Sequence, residues 1–241
     1  MAGIDRFNIR NFRTLGIHTE ENRDGSHSIF VTHHRYEPDE NCVSFNLSRT
    51  DLLMDEYSVA QNGGWETIFT ASPLLCPEPD EFWLSQRSGG NIAPYNDDYL
   101  LVSVGDYAFD GTRIPDHSFA MDNSVVYGKF ILVDKRTGEN QIYASGIRNS
   151  QGVTIDSGGI IWSTDHGQGG GDELNIIIEG NNYGWPESTL SIDYDEGEWP
   201  YSEFQGVTIF MKNRFLDGPM PLHPPICLKL RVINFRSGTV I

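Results

Sequence analysis

Short apolar runs alternate with turn signals through most of this chain, and their rhythm is that of β-structure. Strand-like stretches occupy Ser28–His33, Val43–Leu47, Tyr99–Val104, Lys129–Val133, Gly152–Ile155, Ile160–Ser163 and Leu174–Ile178. Between them fall Asp24-Gly25, Asn62-Gly63-Gly64, Asp110-Gly111, Thr137-Gly138, Ser157-Gly158-Gly159 and Asn181-Asn182, the residue types that close tight turns. No segment keeps a 3.6-residue apolar period over three turns, so no substantial helix is expected. The pattern predicts an all-β domain: a sandwich, barrel or propeller. Tyr99–Asp106 and Ile160–Asp165 share a loose design, a polar turn leading through apolar residues to a small residue and an aspartate. Their separation of about sixty residues is somewhat longer than a propeller blade of ~40–50 residues. Tyr107–Asn123 reads as a long polar loop over one end of the domain.

Composition narrows the partners. The 241 residues carry 17 Lys+Arg against 34 Asp+Glu, a net charge of −17. Nucleic acid and anionic membranes need basic surface, so neither is expected as a partner. An acidic chain fits cation affinity, and equally a surface charged for solubility. The three cysteines, Cys42, Cys76 and Cys227, show no CxxC spacing; one must stay unpaired, and each reads as a buried or incidental thiol. No apolar run is long enough to span a bilayer, and MAGIDRFNIRNF has no secretory pattern. After Gly218-Pro219 the turn rhythm stops, and residues 219–241 read as an atypical, truncated or altered end of a single domain over 1–241.

Candidate chemistry concentrates between Ser145 and Pro186: an Arg-Asn pair, a glycine-rich turn running into Asp172-Glu173, and a Tyr-Gly-Trp-Pro corner. Exposed backbone carbonyls beside a carboxylate are ligands for a hard cation. The neighbouring arginine points to an anionic ligand completing the site.

Three blocks here resemble the soluble quinoprotein glucose/sorbosone (aldose sugar) dehydrogenases at matched spacing. They are Gly146-Ile147-Arg148-Asn149-Ser150-Gln151-Gly152-Val153, the run from Asp165-His166-Gly167-Gln168 through Asp172-Glu173-Leu174-Asn175, and Gly180-Asn181-Asn182-Tyr183-Gly184-Trp185-Pro186. Weaker similarity extends over about 11–199, including Arg13–Ile17 and Ser88-Gly89-Gly90-Asn91. The resemblance implies a six-bladed β-propeller binding pyrroloquinoline quinone and Ca2+ at one end of its channel, incomplete in a chain of this length. It also implies oxidation of an aldose or related alcohol by hydride transfer to the quinone, an external electron acceptor, a periplasmic or extracellular location, and a homodimer as one assembly.

Residue by residue, the resemblance assigns Arg148, Asn149 and, more loosely, Asn11 to the cofactor. The carbonyls of Gly167 and Gln168 match those that hold the catalytic calcium. Glu173, the Tyr183 carbonyl and Asp193 match a second, structural calcium. Two departures stand out: Gln168 occupies a proline position, and Arg87 occupies the position of the family's catalytic base, a histidine. Arginine stays protonated and cannot serve as a base. His166 and His117 are substitutes by neighbourhood only. His33 and His34 alternate across a strand and are not expected to share an ion. Trp83, Trp162, Trp185 and Trp199 could stack on a sugar, with Trp162 and Trp185 better read as packing residues. A calcium-stabilised propeller without catalysis, binding a carbohydrate or protein, is the alternative, and an inert fragment of a longer product is a third.

Overall fold

A computed structural model describes residues 12–54, 58–76, 85–111, 118–189 and 191. The chain divides into two units, Met1–Gln205 and Gly206–Ile241, and all described residues lie in the first. Asn11, His117, Trp83, Asp193, Trp199, Cys227 and the atypical end at 219–241 lie outside the described residues.

Among the described residues, eleven strands form three antiparallel sheets. The first joins β1 (Thr14–Glu21), β2 (His27–Glu37), β3 (Cys42–Met54) and β4 (Val59–Thr70) in chain order. The second joins β5 (Gly89–Pro94), β6 (Tyr99–Val104), β7 (Lys129–Asp134) and β8 (Asn140–Ser145), also in order. The third joins β9 (Ser150–Ile155), β10 (Ile161–Asp165) and β11 (Glu173–Ile177). The only helical turn among the described residues is Ser85–Arg87, just before β5.

Successive sheets meet through their first strands: β1 packs on β5, and β5 on β9. Asn91 Nδ2 donates to Gln151 O at 2.8 Å across the second of these seams. Meanders whose first strands cluster and whose later strands lie outward are the blades of a β-propeller, as expected. The middle blade is buried on both faces. Leu100, Val102, Val104 and Ile131 pack with Phe30, Val43, Phe45 and Leu47 of the first blade. Leu101, Phe130 and Leu132 alternate onto the other face and pack with Ile161 and Ile177 of the third. This two-sided burial is why Tyr99–Val104 is a continuous apolar run rather than an alternating one.

The seven strand-like stretches all fall on strands, but β2 and β3 run on to Glu37 and Met54, well past the expected ends at His33 and Leu47. Three readings are corrected. Asn62-Gly63-Gly64 is no turn; it lies inside edge strand β4, where the register against β3 slips between Arg49 and Asp51 and Gly63 has φ 93°. Glycine there serves a bulge, not a reversal. Cys42 and Cys76 are not isolated thiols but a disulfide, because Leu75 bridges back to Val43 and carries Cys76 beside Cys42. The loop after β6 is less polar than expected: Tyr107, Ala108, Phe119 and Ala120 are buried, and the Phe109 and Phe119 rings stack 4.3 Å apart. His33 and His34 behave as expected, bonding Ser48 and Tyr107 respectively.

Candidate active site

The ends of three elements converge beside the β5–β9 seam: the Ser85–Arg87 turn, the segment after β6, and the hairpin from β10 into β11. Gly105 follows β6, and a Cβ there would collide with Arg87 O, so only glycine lets this segment approach the turn. Asp106 and Asp110 are delivered on one side of the seam, and Arg148 and Asn149 enter from just before β9.

Arg148 and Asn149 are set by Asp165, the last residue of β10. Its two carboxylate oxygens accept the Arg148 backbone N–H at 2.9 Å and the Asn149 N–H at 2.6 Å. The Arg148 guanidinium donates through Nη1 to His166 O (2.9 Å) and through Nη2 to Gln168 Oε1 (2.8 Å), and its Cζ stands 5.3 Å from the Trp185 ring centroid. Asn149 spends its side chain locally: Oδ1 accepts from Gly89 N and Nδ2 donates to Gln86 O, tying β5 and the preceding turn to β9. Arg87 reaches the same point from the opposite side. Its Nη1 donates to Asp110 Oδ2 at 2.6 Å and lies 3.5 Å from Asp106 Oδ2, while Nη2 donates to Gln168 Oε1 at 2.5 Å. Trp185 Nε1 donates to Asp106 Oδ2 at 2.7 Å.

The glycine-rich turn is equally determined. Gly167 N–H donates to Asp172 Oδ1 and Gln168 N–H to Ser191 Oγ, both at 2.9 Å. Across a trans peptide the carbonyl opposes the following N–H. The Gly167 carbonyl therefore points away from Ser191, as the His166 carbonyl points away from Asp172 and towards Arg148. A side chain at Gly167 would meet Gly170 O, which is why the tight curl requires glycine.

Asp165 and Glu173 face each other directly across β10 and β11. Burial raises Asp165 to about 6 against the lowering pull of two backbone N–H donors and Arg148, and burial raises Glu173 to about 7. Burial likewise raises Asp106, opposed by the charges of Arg87 and Arg148. Opposed carboxylates repel, and the Asp165 charge adds to the upward push on Glu173. Between them lies a cavity of about 10 Å3 lined by Arg148, Asp165, Gly167, Glu173 and Trp185, room for one water-sized body.

Arg87, Arg148, Asn149, Gln168 and Glu173 thus fall within one connected site with Gly167. Tyr183 bonds elsewhere, its hydroxyl donating to Ile176 O and its N–H to Ser145 O. His166 is exposed, 3.5 Å from Asp172, and contributes its backbone carbonyl to the site. Trp185 is buried and Trp162 bonds Asp156. Sequence reasoning did not single out Asp106, Asp110 or Asp165 as functional. A signal existed for two of them: Asp106 and Asp165 close the two similar strand runs.

The profile of a family described as Glucose / Sorbosone dehydrogenase matches residues 14–208. Aldose sugar dehydrogenase YliI of Escherichia coli (strain K12) is 46% identical over 144 residues, which is 54% of this chain and 35% of that protein. Quinoprotein glucose dehydrogenase B of Acinetobacter calcoaceticus is 40% identical over 47 residues, 20% of this chain and 10% of that one. Among solved structures, one of a glucose dehydrogenase superposes with a TM-score of 0.61 at 21% identity, covering 82% of this chain and 56% of that one. The apo form of the soluble aldose sugar dehydrogenase from Escherichia coli gives 0.55 at 22%, covering 75% and 51%. This chain therefore spans about a third of the curated Escherichia coli relative and about half of these structures.

Proposed function

Because the chain belongs to the glucose/sorbosone dehydrogenase family, we propose that it is a quinone- and calcium-dependent oxidoreductase acting on an aldose sugar or related alcohol. Bound pyrroloquinoline quinone supplies the hydride acceptor, with calcium polarising its carbonyl. The observation that carries this reading is the family match over residues 14–208, which covers the connected cluster of Arg148, Asn149, Asp165, Gln168 and Glu173.

Arg148 offers a permanently charged, forked donor set to a carboxylate or carbonyl oxygen, and its orientation is fixed beforehand by His166 O and Trp185. Asn149 positions it by locking β9 to the Ser85–Arg87 turn. Gly167 and Gln168 carbonyls offer oxygen ligands to one calcium, and Glu173 with Tyr183 O and Asp193 would serve a second. Arg87 can donate to a sugar hydroxyl but cannot take its proton; Asp110 holds its Nη1 in an ion pair. The Cys42–Cys76 disulfide supports a periplasmic or extracellular location. No helix among the described residues is long and apolar enough to cross a membrane. The electron acceptor is external, and the propeller can assemble as a homodimer.

Calorimetric titration of cofactor with and without calcium tests the reading: calcium-dependent binding is expected, and no binding under either condition overturns it. The Arg87–Asp110 ion pair favours a second reading, a calcium-stabilised propeller that binds without turnover. Dye reduction with aldoses separates the two, and activity gained by Arg87→His would show that only the base was lacking.

A further inference from the structure

The two departures from the family pattern, Arg87 for histidine and Gln168 for proline, touch each other. Gln168 Oε1 accepts from Arg87 Nη2 at 2.5 Å and from Arg148 Nη2 at 2.8 Å, so one neutral oxygen sits between two guanidinium groups. Both arginines are buried, at 8% and 3% exposure, and both are held at their other nitrogen: Arg87 Nη1 by Asp110, Arg148 Nη1 by His166 O. The donors are thus aimed before any ligand arrives. The acceptor is different in kind. It hangs on a flexible side chain in the turn Gly167–Gly171, where proline would have offered no side-chain acceptor. A carboxylate oxygen makes the same two bonds with charge added, and charge-assisted bonds are roughly twice as strong as neutral ones.

We propose that Arg87 and Arg148 form a carboxylate seat, occupied at rest by the Gln168 amide oxygen, and that the sugar taken here is acidic. A uronic acid carries such a carboxylate and keeps the anomeric carbon from which hydride leaves. The inference rests on the pocket reading above and names its substrate class. Arg87 is then a specificity residue.

The test is calorimetry on the full chain, titrated first with cofactor and calcium, then with D-glucuronate and D-glucose. Glucuronate should bind at least ~10-fold tighter than glucose, the ratio worth one charge-assisted contact. Arg87→Gln should abolish the preference without changing cofactor affinity, Arg87→Lys should retain part of it, and Gln168→Ala should bind glucuronate at least as tightly as the parent. Equal binding of the two sugars, a preference surviving Arg87→Gln, or weaker glucuronate binding by Gln168→Ala overturns the seat. Acetate binding as tightly as glucuronate would overturn the sugar assignment. A fall in cofactor affinity in Arg87→Gln with sugar preference intact would give the carboxylate to the cofactor and overturn the proposal. Absence of cofactor binding in the parent fails the pocket reading itself, whereas cofactor binding with indifferent sugar binding fails the seat alone.

Discussion

Leu101 and Asp106 belong to one short segment and are equally buried, each at 0% exposure, yet they sit in opposite surroundings. Leu101 stands mid-blade among Phe130, Leu132, Ile161 and Ile177, where apolar contact joins the second blade to the third. Asp106 stands at the blade end, facing Arg87 at 3.5 Å and accepting from Trp185 at 2.7 Å. The blade middles stabilise the propeller through area removed from water, a non-directional effect that tolerates substitution by similar shapes. The blade ends hold charges that cost free energy to bury and are satisfied only by named partners. Stability is concentrated in one region and chemistry in the other.

Substitutions that exploit this contrast should differ in size. Asp106→Ala leaves Arg87 and the Trp185 N–H short of an acceptor in a buried setting, and chemical denaturation should show a loss of about 4 kcal/mol. Asp106→Asn, which keeps an acceptor, should lose clearly less; equal losses would mean that shape rather than pairing decides. Leu101→Ala should cost about 3 kcal/mol through the cavity it leaves, while Leu101→Met should stay under about 1.5 kcal/mol. A cost for Leu101→Met matching that for Leu101→Ala would undo the claim of a tolerant blade middle.

The disulfide lies in the apolar region of the first blade and acts mainly on the unfolded chain. Cys42→Ser should lower stability by about 2–3 kcal/mol without altering ligand binding, as read by thermal unfolding in oxidising buffer. A change in cofactor affinity would show that the blade and the site are coupled.

The smallest expected effect comes from Lys129, a charge placed among apolar neighbours. Its Nζ donates to Phe119 O, Ala120 O and Tyr127 O, and burial pulls it down to about 8. Between that value and its ordinary range above 10, the unfolded chain binds more protons than the folded one, so stability should rise with pH. From pH 7 to 9 the gain should be about 1 kcal/mol, and Lys129→Met should remove the slope. A slope unchanged in Lys129→Met would place the titration elsewhere.

The strands of the middle blade were legible because burial on both faces leaves continuous apolar runs. Edge strand β4 was not, since Asn62-Gly63-Gly64 carries a turn's residues in a bulge. Strand β5 begins on Gly89-Gly90 and β8 opens on polar Asn140-Gln141, so neither shows an apolar run. In the site, the stretch from Arg148 to Glu173 could be read because one hairpin carries it. Asp110 and the pairing of Arg87 could not, because their partners arrive from other elements and no local pattern encodes a contact across a blade seam.

Residue chemistry and local order are properties of the sequence: a guanidinium that never loses its proton, glycines that admit a tight curl, and apolar runs of strand length. Those fixed the all-β class and the kinds of ligand the turn can hold. Folding alone decided which charges meet. Arg87 faces Asp110 and Gln168, and Asp165 faces Glu173, because blade packing brings distant segments within a few ångströms, where Coulomb and hydrogen-bond energies become large enough to select a partner.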